Sequence, residues 1–169
     1  DLNGNVWEWT PGMRMNAGEI NIITGNDAAI NATDMAAGSA AWKAIDGATG
    51  ALVAPGTAGT VKRSLSASGT ADWTIYCGNG DAFSSAVNST GANPVGATAL
   101  QLLKQHGLFP IASSGLGGDG YWGDVTGERL PVRGGNWNHG ASAGVFALDL
   151  YNGRDATGAG FGARPAFVI

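Results

Sequence analysis

Side chains able to do covalent or metal chemistry are few in this 169-residue chain, and each fits a modest role better than a catalytic one. Cys77 is the single cysteine, so an internal disulfide is excluded and the redox compartment stays open; a small buried residue in a strand is the expected role. His106 ends a predicted helix, where a cation suits the helix dipole. Asp1, Asn3 and Asn5 mimic the opening of an EF-hand loop, but its glycine would fall on Val6 and its closing Glu on Gly12, so that reading fails. Gly115 to Gly120 (GLGGDG) lacks the Lys-Ser/Thr pair and the following helix of a phosphate loop. Nine Lys and Arg, of which only Lys62 and Arg63 are neighbours, make no basic stripe in a chain of net charge -4, and nucleic acid is not an expected partner. No enzyme is expected.

The elements that must position these residues are short. Twenty-nine glycines against 13 % charged residues argue for a loop-rich fold with helix in the minority, and a 44 % apolar fraction is enough for one domain over residues 1–169. Asp1 to Trp9 reads as a turn into a strand that puts Trp7 and Trp9 on one core-facing side. Glu19 to Thr24, Trp42 to Asp46, Thr60 to Leu65 and Asp72 to Tyr76 read as further strands, with Gly47 to Gly59 an exposed loop or wide hairpin. Val95 to His106 is the one convincing helix, started by Asn93-Pro94 and stopped by Gly107. No apolar run reaches membrane-spanning length, and a chain opening on Asp1 without a signal-type segment reads as a fragment or processed product whose targeting information lies upstream.

The C-terminal stretch is the most informative. In Val145 to Tyr151 (VFALDLY) the alternation turns Phe146, Leu148 and Leu150 inward and Val145, Ala147, Asp149 and Tyr151 outward. The same parity in Gly134 to Asn138 turns Trp137 inward and Asn136 and Asn138 outward. Asn152 to Gly162 is a polar loop, and Ala163 to Ile169 is expected to close the chain as an apolar strand.

Gly4 to Trp9 (GNVWEW), together with Arg133 to Trp137 (RGGNW), resembles the paired signatures of the formylglycine-generating-enzyme (sulfatase-modifying factor) type of C-type-lectin fold. Arg133 to Ala166 resembles the variable repeat of target proteins of diversity-generating retroelements. The middle of the chain, roughly residues 25 to 125, carries only a looser likeness. The resemblance implies an α+β C-type-lectin-like fold, loop-rich, with irregular antiparallel strands and one or two helices. It implies a hypervariable protein that binds its ligand noncovalently through a variable region over 133–164, with a cell surface or phage virion as its favoured place and a protein or cell-surface ligand as its partner.

In such systems template adenines are copied with errors, so AAC codons for Asn drift to Asp, Tyr, His, Ser, Gly or Ala. The outward or loop residues Asn136, Asn138, His139, Ser142, Asp149, Tyr151, Asn152, Asp155, Ala156, Gly158, Ala159 and Gly160 all belong to that set, and Phe161 is one adenine from isoleucine. These are the expected ligand-binding residues. Trp137, Phe146, Leu148 and Leu150 need no adenine and are expected to be fixed scaffold, while Arg133 and Arg164 are expected to hold the loop ends, with Arg154 suited to either job. Asn5 and Glu8 resemble calcium positions of the enzyme relatives, but turn and strand-end hydrogen bonding is the preferred role, so no cofactor is expected beyond a possible calcium ion. Asn93-Pro94 follows Ala92 where sugar-binding lectins need a carboxylate. An alternative reading is a divergent or inactive formylglycine-generating-enzyme-like domain with a fixed small-molecule or metal-dependent role; the single Cys77 stands against the cysteine pair that those enzymes use.

Overall fold

A computed structural model describes residues 4–25 and 27–162, and the structure below is that of those residues; Arg164 and the closing strand expected over 163–169 lie outside them. Nine short strands precede the helix: β1 (Trp7–Trp9), β2 (Met13–Asn16), β3 (Glu19–Ile22), β4 (Lys43–Ile45), β5 (Leu52–Val53), β6 (Lys62–Ser64), β7 (Thr74–Tyr76), β8 (Asp81–Ala82) and β9 (Val87–Asn88). Then come α1 (Ala97–Gln105), β10 (Gly120–Gly123), β11 (Glu128–Gly134), β12 (Gly144–Asn152) and β13 (Phe161–Gly162). No helix among the described residues is long and apolar enough to cross a membrane.

The α+β C-type-lectin-like fold is not what forms. Strand accounts for 32 % and helix for 11 %, and the strands build one curled, mixed half-barrel in the order β8-β10-β12-β11-β2-β3-β6-β7-β9. Nor are the pairings all antiparallel, since β10 with β12, β6 with β7 and β1 with β13 run parallel. The reason lies in the sequence: only Ala97–Gln105 sustains helical spacing, burying Ala99 and Leu103, whereas elsewhere glycines and turn residues end each segment after a few residues. The Gly47 to Gly59 region does form a wide hairpin, with Ala44 opposite Val53 and Ile45 opposite Leu52.

A main core joins Ile20, Ile75, Leu103, Tyr121, Leu148 and Leu150, and a second, smaller one gathers Trp7, Val132 and Ala147 with Trp9, Trp122 and Phe161 packed against it. Strand β2 was not expected, because Arg14 and Asn16 give Met13–Asn16 a polar look. Its arginine is nevertheless buried: Arg14 donates to Asn21 Oδ1 (2.9 Å), the Ala37 carbonyl (2.6 Å) and Glu128 Oε1 (2.8 Å), and its guanidinium lies 4.6 Å from the Trp42 ring. Ala17 and Gly18, at φ 48° and 81°, supply the left-handed pair that a two-residue hairpin between β2 and β3 requires.

His106 is the C-cap of α1, its backbone N–H donating to the Leu102 and Lys104 carbonyls, while burial and then the neighbouring Arg133 charge lower its pKa and disfavour the cation expected there. Arg133 supplies that cation, donating through Nη2 to the His106 and Gly107 carbonyls at 3.0 Å each.

Strand β12 leaves its ladder with β11 between Leu148, opposite Arg133, and Gly144, opposite Gly134. The Phe146 N–H in that excursion is taken up by the Asp119 carboxylate at 2.8 Å. A Cβ on Gly144 would stand 2.4 Å from both carboxylate oxygens of Asp119, so a side chain there would have to displace the group that holds the Phe146 N–H. Chemical denaturation should show Leu148→Ala costing about 2–5 kcal/mol of stability, and Gly144→Ala should also be clearly destabilised. A neutral Leu148→Ala would mean that the inner face of β12 has been misassigned.

Candidate binding surface

The two segments that carry the family resemblance meet in space. Strand β1 pairs with β11, placing Glu8 opposite Arg133 and Trp9 opposite Val132. Gly4 N–H donates to the Gly134 carbonyl (3.1 Å) and Trp137 N–H to the Asn5 carbonyl (3.2 Å). On the other side of β1, β13 aligns Trp7 with Phe161, and Trp7 N–H donates to the Gly160 carbonyl at 2.7 Å. The loop after β11 and the loop after β12 therefore converge on β1, and a Cβ on Gly160 would come within 3.1 Å of the Asn136 amide nitrogen.

Strand parity breaks where β11 ends. Gly134 and Gly135 adopt φ 95° and 77°, a left-handed pair that ends β11 and destroys the alternation beyond it. Trp137, expected inward, is 75 % exposed. On β12, Asp149 pairs with Val132 and Asn152 with Leu130, so Leu150 and Tyr151 oppose the single residue Pro131. Proline has no N–H for the ladder, and the bulge falls opposite it. Tyr151, beside the bulge, points outward as alternation requires, 55 % exposed, its ring 6.0 Å from the Arg129 guanidinium.

Ala147 and Asp149, expected outward, are corrected. Ala147 is fully buried in the second core, and Asp149 is half-buried beside it, its carboxylate accepting the Tyr151 N–H (2.6 Å) and the Asn152 amide (3.1 Å). Val145 is exposed as expected, while Phe146 is half-buried and stacks 6.2 Å from Phe83. Leu148 and Leu150 are fully buried, as alternation required.

The remaining predicted positions divide by environment. Asn138, Asp155, Gly158 and Ala159 are exposed. Asn136, Ser142, Asn152, Ala156 and Gly160 are half-buried. His139 is more committed than a freely variable residue: its ring contacts Trp7 and Trp122 edge-on at 5.1 Å each, and Nδ1 bonds the Asn136 side chain. Phe161 stacks on Trp9 at 5.4 Å, and beside that pair Ala156, Thr157 and Gly158 wall a recess of about 280 Å³. Arg154 resolves its two possible jobs by bonding Glu128 through Nε (2.5 Å) and Nη2 (3.0 Å), which ties the loop to β11.

For cation binding, Asn5 is exposed and Glu8 is half-buried on β1, and among the described residues no three His, Cys, Asp or Glu are grouped as a metal site. Cys77 is buried near Ser85 Oγ (3.7 Å), and burial pushes its thiol pKa up, opposite to what a nucleophile needs. No family model matches the chain, and no curated protein matches it.

Burial raises the pKa of Asp149, although its hydrogen bonds to Tyr151 and Asn152 and the nearby His139 and Arg63 act the other way. A carboxyl whose pKa is higher in the folded than in the unfolded chain contributes stability that is full below the unfolded value, about 3.9, and is lost as pH rises through the folded one. Asp149→Asn should accordingly melt higher than the parent at pH 7, with the difference closing below about pH 4. A constant difference across that range would remove desolvation as the cause.

Proposed function

We propose that this chain is a hypervariable recognition domain that binds a protein or cell-surface partner noncovalently, through the loops following β11 and β12 and the exposed residues of β12. Its variation comes from adenine-directed copying by a retroelement, and a place on a cell surface or virion belongs to the same proposal. One observation carries the reading. All thirteen positions whose codons fit adenine-directed change keep some solvent access, whereas Leu148 and Leu150, which need no adenine, are fully buried on the same strand. Most positions free to change lie apart from those that hold the fold, the exceptions being His139, packed against Trp7 and Trp122, and Phe161, stacked on Trp9. That separation is what a binding surface replaced gene by gene demands.

The composition supports the same view. Tyr151 and Trp137 are large exposed aromatics among Asn, Ser, Asp and Gly, the mixture by which antibody-like surfaces combine rigid anchors with adaptable polar groups. Trp137 takes a further role here. Its codon contains no adenine, so it would be a fixed contact in the midst of changing ones.

The encoding DNA is the decisive material. A near-copy of the segment for Arg133 to Arg164 should lie close to a reverse transcriptase gene and differ almost only where the copy has adenine. Absence of any such copy, or differences scattered over all four bases, would refute the diversification. Against a partner found by selection, Tyr151→Ala should weaken binding by about 2 kcal/mol, roughly thirtyfold, with the melting temperature nearly unchanged.

A further inference from the structure

Next to the loop surface lies an open recess of about 230 Å³ whose lining includes Trp9, Met13, Met35, Trp42, Leu130 and Arg154. We infer that it is a fixed anchor pocket, which takes one uncharged aromatic or long aliphatic side chain of the protein partner while the neighbouring loops set specificity. The inference rests on the recognition role proposed above and names the chemistry that its partners share.

Three observations select this occupant. The first is electrostatic: among the described residues Arg154 is the single charged one in the lining, and its guanidinium is already held by both oxygens of Glu128, so they offer no free charge to an ionic ligand. The second is size. A volume of about 230 Å³ falls below the roughly 300–1,000 Å³ of sites for whole small molecules but suits a single large side chain. The third is continuity, because Trp9 also lines the recess walled by Ala156, Thr157, Gly158 and Phe161, so one partner surface can engage both. Of these six residues only Arg154 belongs to the Arg133 to Arg164 stretch, and it is outside the adenine-derived set. The apolar lining therefore stays constant when the loops change. Thioethers and indoles are suited to such use, since methionine adapts its shape and packs well against aromatic rings.

The three methionines make the test direct. With methionine methyls labelled in the full chain, a titration with N-acetyl-tryptophanamide should give saturable shifts at Met13 and Met35, while the fully buried Met15 serves as internal control. Met35→Arg should weaken the effect at Met13 at least about tenfold, and N-acetyl-aspartamide should leave all three signals in place. Shifts that do not saturate, that are as large at Met15, or that survive Met35→Arg overturn the pocket. Tyr151→Ala should leave this titration unaltered while impairing partner capture, so a silent pocket with intact capture removes the anchor alone, and a responsive pocket with capture indifferent to Tyr151→Ala removes the loop reading alone.

Discussion

Both edges of the strand Glu128–Gly134 are hydrogen-bonded, and the geometry of the C-terminal face follows from how those edges are shared. One edge carries β12; the other carries β2 over Glu128 and Arg129 and then β1 over Val132 and Arg133. Pro131 marks the changeover, accepting from Thr10 N–H at 3.1 Å and facing the bulge on β12. The strand ends in the left-handed pair Gly134-Gly135, where a Cβ on Gly135 would come within 2.6 Å of Ala143 Cβ. These backbone features decide which side chains reach solvent.

Polar contacts then fasten the loops without a disulfide. Glu128 receives Arg14 from the core side and Arg154 from the loop side; burial acts to raise its pKa, but the hydrogen bonds and charges of the two arginines outweigh this and lower it. Asp119 plays a comparable part at the start of β12, satisfying a backbone donor that the ladder has abandoned. None of Arg14, Asp119, Glu128 and Arg154 is among the positions proposed to vary, so under that proposal the loops would change sequence while their ends stay anchored. Dense aromatic packing of Trp7, Trp122 and His139 adds support beneath them.

Sequence reasoning reached the elements with a signal of their own. The helix and the inward Leu148 and Leu150 follow from periodicity, the strand around Glu19–Ile22 from its β-favouring residues, and the wide hairpin from its glycines and Pro55, all of them local signals. It failed where a turn or distant packing overrides the period. Two glycines reversed Trp137, and a second apolar cluster covers the face of β12 that simple alternation leaves to solvent, burying Ala147 and half-burying Asp149 while Tyr151 stays exposed. The Pro131 and Gly134-Gly135 signals were visible but their effect on a partner strand was not, since register depends on residues far apart in sequence. Met13–Asn16 escaped for the complementary reason: a buried arginine looks like a surface residue until Glu128 is seen to meet it. The fold class was not legible because the two short terminal motifs flank a middle region that has its own β-rich topology.

The central claim is that the surface can be rewritten while the scaffold stays folded, and it can be measured on two libraries expressed and melted in parallel. One randomises the exposed Asn138, Tyr151, Asp155 and Ala159; the other randomises Val132, Ala147, Leu148 and Leu150. The account predicts that most members of the first melt cooperatively within a few degrees of the parent, and that few members of the second fold at all. Comparable losses in both libraries would contradict it.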